Sequence, residues 1–426
     1  MGAGHATRDT AFEVRTAPRV RAAALFVLIL VAIVTGIGVV HFWPDYGAVA
    51  KISQQTGYLA DGVTLEAGEI VEVGACERPE QAAPQGEAPT GAQSACERFR
   101  VSLQSGPDRG QLIEVEAHGA MARSGLGTGD RVELYAFGES SGQPHSYGLA
   151  NNYELSGAFR HVPLAILAAV FALVVIAVGR LRGLLALVAL VVAGVVLVGF
   201  VLPALISGAP PLPVGLIGAS AIMLVTLFFV HGPNMRTTSA LLGTLAGLLI
   251  MALVSWLSVQ ASHLSGLGDE SSGLLSTATT GMDFRGLLSC SILIAGLGVL
   301  NDVTITQASA VWELRAAAPT MPQREVFARA MRIGRDHIAS TVYTVCFAYA
   351  GAALSVLLLL YLYNRPVLSL LTSEDLAVEI VRTLAGSIGL VLAVPITTVV
   401  AALFVPPRGA DSLRGVRDRA ATPRAQ

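Results

Sequence analysis

An acidic residue stands inside an apolar stretch that is long enough to cross a membrane. Asp302 lies within the run at 286–311, about 15 Å from its inner end if a helix is counted back from Trp312 at about 1.5 Å per residue. A carboxylate at that depth is costly, so it indicates a proton or ion relay, or a hydrogen-bonded acid that fixes helix packing. Asn301 and Thr304 complete the candidate intramembrane relay on this run. The sequence leaves both interpretations open.

The next apolar run begins with a polar stripe. His337, Thr341 and Thr344 follow the i, i+4, i+7 spacing of one helix face. Histidine is the side chain that titrates near neutrality, which suits a relay. We expect this stripe to point into the bundle towards Asp302. The alternative is that the hydroxyls only join neighbouring helices.

Four charged residues at the ends of runs are candidates for a gate or a salt bridge. Arg335 and Asp336 precede the seventh run, where an interfacial cap is the favoured interpretation. Glu379 and Arg382 stand three residues apart at the start of the eighth run, where a surface salt bridge is favoured over an outer vestibule.

The composition requires most of these elements to lie in lipid. The chain of 426 residues is 53% hydrophobic and 14% charged, whereas soluble domains are about 25% charged. Apolar runs near the required ~20 residues occur at 22–42, 162–179, 184–206, 212–230, 238–261, 286–311, 338–362 and 380–404. The fold class predicted is an all-α membrane bundle of about eight transmembrane helices.

Arginine placement predicts the orientation of the bundle. Arginines occupy alternate short loops and both tails, so the positive-inside rule places both termini in the cytoplasm. The predicted divisions are a tail at 1–21, a helix at 22–42, an exterior domain at 43–159, a seven-helix bundle at 160–405 and a basic tail at 406–426. The amphipathic segment 321–335 is predicted to be a short helix on the inner leaflet, or a solvated connector.

The exterior region reads as a small β domain. Four segments alternate or are β-branched between turn residues, and SGPDRG at 105–110 is a hairpin connection. About five short strands predict a closed barrel. Outside the membrane, Cys76 and Cys96 would form a disulfide; the alternative is two free thiols in a reduced cytosolic domain. The polar segment between them is predicted to be a mobile loop.

Several classes of function find no motif in the chain. HExxH and Walker sequences do not occur, and no histidine or cysteine has metal-ligand spacing. We therefore expect no enzyme, cofactor or metal, and no nucleic-acid footprint is visible. The expected partners are the lipid bilayer and other membrane or envelope proteins.

Four stretches carry a resemblance to a known family. Residues 231–249, 285–314, 331–354 and 379–401 resemble the bacterial YibE/F family of multi-pass membrane proteins. That resemblance implies a bacterial plasma-membrane location. A shorter stretch at 301–345 is similar to a transmembrane hairpin of the SecD/SecF export subunits and the related RND transporters, which implies proton coupling.

Two functions remain open at this point. The first is a proton- or ion-coupled, transport-like protein with Asp302 as the relay acid. The second is a non-transporting envelope protein whose exterior domain binds a partner and whose helices serve as an anchor.

Overall fold

A computed structural model describes residues 17–55, 62–76, 96–137, 152–268, 270–279, 281–362 and 366–406. This part of the chain is mainly helical, with a five-stranded sheet after the first two helices. The segment between Cys76 and Cys96, predicted to be a mobile loop, lies outside the described residues, as do most of both predicted tails. The chain divides into two compact units, Ser53–Ala177 and the remainder.

The helices are numbered in chain order. They are α1 Pro18–His41, α2 Tyr46–Gln55, α3 His161–Val196, α4 Leu202–Ile206, α5 Pro211–His231, α6 Met235–Ala261, α7 Glu270–Ala278, α8 Phe284–Ala317, α9 Gln323–Ala352, α10 Leu354–Leu362, α11 Val367–Leu371 and α12 Glu374–Phe404. Among the described residues, six helical segments are long and apolar enough to span a membrane, or seven if α9 and α10, bent by 63°, form one span. The predicted apolar bundle is present, while its count of eight remains a prediction.

One helical run is much longer than a membrane is thick. The segments predicted as two spans, 162–179 and 184–206, lie in a single run of 46 residues, His161–Ile206. At 1.5 Å per residue, a straight run would measure about 69 Å, more than twice the hydrocarbon core. Its backbone is interrupted at Arg180, with φ 52° and ψ −133°. A positive φ is uncommon outside glycine, and this break falls where the sequence predicted a loop.

The prediction of a separate short helix at 321–335 is wrong. The structure continues α9 without a break from Gln323 to Ala352. Two of its apolar residues, Val326 and Ala330, pack against Val311 of α8 and Ala401 of α12, whereas Ile333 is exposed. The helix that carries the predicted seventh span therefore begins earlier than predicted, and it bends at the junction with α10.

Helix α6 packs closely against α12 and α8. A Gly-xxx-Gly pair makes this possible, since Gly243 lies against Thr397 and Gly247 against Ala393. These two contacts show that α6 and α12 run antiparallel. Helix α8 is also antiparallel to α6, because Thr244 meets Thr304 while Gly296 meets Met251.

The remaining contacts fix the direction of the other helices. Helix α5 runs parallel to α8 (Pro211 with Gly286, Gly215 with Cys290), and α9 runs antiparallel to α12 (Gln323 with Ala402, Gly334 with Val394). The α5–α6 turn, the α8–α9 turn and the last residues of α12 therefore lie at one end of the bundle. Arg236, Arg315 and Arg324 lie at this end, which we call the arginine end.

A buried arginine closes the turn between α8 and α9. Arg315 is only 2% exposed, and its Nη1 donates to the carbonyls of Pro319 at 3.2 Å and Met321 at 2.7 Å. The adjacent Gln323 donates to the carbonyl of Ala402 at 3.2 Å. These bonds satisfy carbonyls at the turn and hold α9 against both neighbouring helices.

The second unit contains the antiparallel sheet. Its strands are β1 Val63–Ala75, β2 Cys96–Leu103, β3 Leu112–His118, β4 Arg131–Phe137 and β5 Tyr153–Ala158, in the spatial order β3-β2-β1-β4-β5. The sheet curls so that β3 and β5 approach each other. Its core is apolar and includes Phe99, Val101, Val132 and Leu134. The prediction of about five strands is confirmed, with four of them at the segments that carry the strand pattern, and the predicted hairpin at 105–110 connects β2 to β3.

Candidate functional site

Asp302 does not point into the helix bundle. It lies on an exposed face of α8 with Ala295, Gly298 and Thr306, which share its stripe at helical spacing. Within the described residues, no hydrogen bond or ion pair joins Asp302 to Asn301 or to the polar stripe of α9. The predicted grouping around Asp302 is therefore not observed, because the apolar neighbours of Asp302 on α8, rather than Asp302 itself, face the other helices.

The neighbouring polar residues of α8 do face inward. Thr304 is fully buried, and its hydroxyl lies 2.6 Å from that of Thr244 and 3.1 Å from the carbonyl of Asn301. The side-chain Oδ1 of Asn301 is shielded from solvent and has no hydrogen-bond partner. A polar group thus reaches the interior one residue away from Asp302.

Gln307 is a buried polar residue outside the predicted relay. It is 3% exposed, and its Nε2 donates to the carbonyl of Ala330 at 3.0 Å and to the Thr398 hydroxyl at 2.7 Å. A Cβ at Gly334 would lie 2.9 Å from its Oε1, so the glycine makes room for the amide. A glutamine inside an apolar run was the signal for this contact between α8, α9 and α12.

The predicted stripe of α9 divides between inside and outside. Thr341 is buried and donates to the carbonyl of His337 at 2.8 Å, whereas Thr344 is exposed and donates to the carbonyl of Ser340. His337 is half-buried, and its Nε2 has no partner and no contact with solvent. The predicted gate residues Arg335 and Asp336 are both exposed.

The other predicted gate pair forms an ion pair near the start of α12. Arg382 Nη1 lies 2.6 Å from Glu379 Oε1, and each side chain is about one quarter exposed. The second oxygen, Glu379 Oε2, is buried without a partner. Tyr349 of α9 lies near both charges.

We call the polar stripe between these two helices the α9–α12 seam. It consists of His337, Thr341 and Tyr349 on α9 and Glu379, Ser387 and Thr398 on α12. Ser387 lies two helical turns after Glu379, and its hydroxyl is also buried without a partner. Ile338 of α9 packs with Leu390 and Val394 of α12 between the polar positions. The seam holds three titratable groups, an imidazole, a phenol and a carboxylate, among hydroxyls that can pass or share protons.

The sheet carries a separate set of charges. Arg100 bonds Glu72 at 2.6 Å and Glu114 at 2.9 Å, and Arg98 bonds Glu116 at 3.2 Å. The hydrogen bond that Arg100 donates to Glu114, followed by the negative charge of Glu72, raises the pKa of Arg100. Cys76 and Cys96 are joined by a disulfide at the edge of this charged face.

Comparisons with known proteins concern mainly the helical part. The sequence profile described as YibE/F-like protein matches residues 167–407. No curated protein and no solved structure matches the chain. Nothing in these comparisons supports the predicted similarity of residues 301–345 to SecD/SecF.

Proposed function

The chain belongs to the YibE/F-like family, and we propose that it is a proton- or ion-coupled, transport-like membrane protein whose relay follows the α9–α12 seam. The observation that carries this proposal is the set of buried polar atoms without partners. Within the described helices these atoms include Asn301 Oδ1, His337 Nε2, Glu379 Oε2 and Ser387 Oγ.

Such atoms destabilise a membrane protein unless a hydrogen-bond partner is supplied. An unpaired buried polar group costs about 1–3 kcal/mol, and lipid provides no partner. Water molecules or moving protons along the seam would satisfy the three that lie on α9 and α12, those of His337, Glu379 and Ser387. Because α9 and α12 are antiparallel, the atoms lie at different depths, from the inner half of the bundle at His337 to the start of α12 at Glu379.

The proposal includes eight spans and a fixed orientation. Dividing His161–Ile206 at Arg180 and joining α9 to α10 gives eight spanning segments from the structural count. The positive-inside rule assigns the arginine end to the cytoplasm of a bacterium. Both termini are then cytoplasmic, and the sheet lies outside the plasma membrane.

Asp302 is the alternative candidate for the relay acid. Its outward position separates it from the seam, so a single experiment distinguishes the two. The protein is reconstituted into liposomes that contain a pH-sensitive dye, and a valinomycin-driven potassium gradient supplies the driving force. We expect proton entry above that of protein-free liposomes, with a large loss in Glu379→Gln and little change in Asp302→Asn.

The matched control is Glu325→Gln, which neutralises an exposed carboxylate at the start of α9. Loss of proton entry in Asp302→Asn, with full proton entry in Glu379→Gln, would show that the relay runs through α8. Wild-type protein that admits no more protons than empty liposomes would refute a relay that conducts protons without a co-substrate.

A second candidate function rests on the sheet, which forms its own compact unit with its own core. In that reading the sheet binds an envelope partner and the helices are an anchor. Deletion of residues 62–158 tests this function. Partner binding is favoured if cells with the truncated protein behave like cells that lack the protein, while membrane assembly and proton flux stay intact.

A further inference from the structure

Three neighbouring strands bring three potential metal ligands together at one end of the sheet, Cys76, Cys96 and Glu116, and His118 lies beside Glu116. Cys96 pairs with His118 across β2 and β3, and it is bonded to Cys76 at the end of β1. Cys76, Cys96 and His118 therefore form a row across the strands. Glu116 lies on the same face two residues before His118, and its carboxylate lies within 4.8 Å of both sulfur atoms.

The carboxylate of Glu116 is oriented between its neighbours. Its Oε1 accepts a hydrogen bond from Arg98 at 3.2 Å, and its Oε2 lies 3.7 Å from Nε2 of His118. Glu116 is 15% exposed at its side chain and His118 is 37% exposed. The group is therefore partly sheltered by the sheet and still reachable from solvent.

Two sulfurs, an imidazole nitrogen and a carboxylate oxygen are the ligand types that zinc binds in tetrahedral sites. A cysteine binds zinc as a thiolate, which a disulfide does not offer. We propose that the Cys76–Cys96 disulfide gates a zinc site formed by Cys76, Cys96, Glu116 and His118. Oxidation closes the site and reduction opens it.

The chemical step is thiol–disulfide exchange with an external dithiol reductant. One reductant thiolate attacks a cysteine sulfur, which breaks the Cys76–Cys96 bond and forms a mixed disulfide. The second reductant thiol then displaces the remaining cysteine. Two electrons pass to the protein, the reductant becomes a disulfide, and two cysteine thiols are formed. Zinc binding next releases the two thiol protons to solvent.

Electrostatics favour a cation in the reduced site. Two thiolates beside the Glu116 carboxylate repel one another, since like charges a few ångströms apart are unfavourable in a partly buried setting. A divalent cation placed among these negative groups attracts each of them and so offsets their repulsion. It would also keep β1 joined to β2 after the disulfide is opened.

Zinc alone is the probe, added to the purified full-length protein in detergent. Oxidised protein should retain no zinc after gel filtration, and reduced protein should retain about one ion per chain, as a four-ligand site requires. The control is the reduced double variant Cys76→Ser/Cys96→Ser, which still has Cys290 and Cys346 and should retain none. His118→Ala should raise the Kd for zinc. The increase should exceed the roughly 10–100-fold that results from losing a residue that only supports a ligand.

Thiol alkylation provides an independent readout of the same site. Zinc should slow the labelling of two cysteines in the reduced wild type, and it should slow none in the double variant. Equal zinc retention by reduced wild type and double variant would overturn the site. Equal zinc retention by oxidised and reduced wild type would show that the disulfide does not gate the site. An unchanged Kd for zinc in His118→Ala would show that His118 is not a ligand. Far-ultraviolet circular dichroism of each variant verifies that the sheet is intact.

Discussion

Thr244 of α6 and Thr304 of α8 face each other with their hydroxyl oxygens 2.6 Å apart, and both residues are fully buried. Each hydroxyl also lies close to a carbonyl of its own helix, that of Ala240 or Asn301. The pair joins two antiparallel helices at the depth where α8 carries its polar residues.

Replacing this pair tests how much an interhelical hydrogen bond contributes. Thr244→Val and Thr304→Val keep the shape of the side chain and remove the hydroxyl. Hydrogen bonds between membrane helices average about 0.6 kcal/mol and reach about 1.7 kcal/mol. We expect a coupling free energy in that range from a double-mutant cycle on unfolding in bicelles. Purely additive single effects would show that the two hydroxyls act independently.

Gly243 is predicted to be intolerant of any side chain. A Cβ there would overlap the Thr397 hydroxyl and approach the Thr397 Cα to 3.1 Å. Gly243→Ala should therefore destabilise the bundle by about 1–3 kcal/mol, the usual cost of overpacking. The measurement is the thermal unfolding midpoint in detergent. Gly194→Ala is the matched control, because a Cβ at Gly194 meets nothing within 4 Å, and its midpoint should not fall.

Asp302 is predicted to tolerate an apolar replacement. Because it lies on an exposed face of α8, Asp302→Leu removes a polar group from a lipid-facing surface, where a central charge costs up to about 2.5–3.5 kcal/mol. We expect an unfolding midpoint equal to or above that of the wild type. Thr304→Leu, two residues away and fully buried, should lower the midpoint. A fall in both variants would place Asp302 inside a packed interface.

Tyr153 makes the sheet sensitive to alkaline pH. Its hydroxyl donates to Asp108 Oδ2 at 2.7 Å, and burial, assisted by that bond, raises the pKa of Tyr153 to about 12. The unfolded phenol titrates near pH 10. The stability contributed is complete below about pH 10 and is lost as the pH rises through about 12, since the unfolded chain loses its proton first. Tyrosinate absorbance of wild type minus Tyr153→Phe should therefore rise near pH 12. A rise near pH 10 would show that Tyr153 is solvated.

Local patterns determined much of the architecture. Apolar runs and turn residues predict spanning helices and five strands because both depend on a few neighbouring residues. The interrupted backbone at Arg180 and the turn closed by Arg315 also fall where the sequence predicted loops. The amphipathic segment at 321–335 was misassigned, because its apolar side suits lipid and a packed helix equally well. Only the neighbouring α8 and α12 decide between them.

The arrangement of the site depended on tertiary structure. Periodicity groups residues on a helix face, but it does not say which face meets another helix, so the outward position of Asp302 was not predictable. Gln307 and Thr398 meet across 91 residues of sequence, and His118 joins Cys96 only through the register of two strands. Sequence alone therefore determined most of the apolar helices and strands, but not the start of α9, which the structure places at Gln323. The packing of those elements decided which polar groups share a site, because proximity in space is set by contacts between residues far apart in the chain.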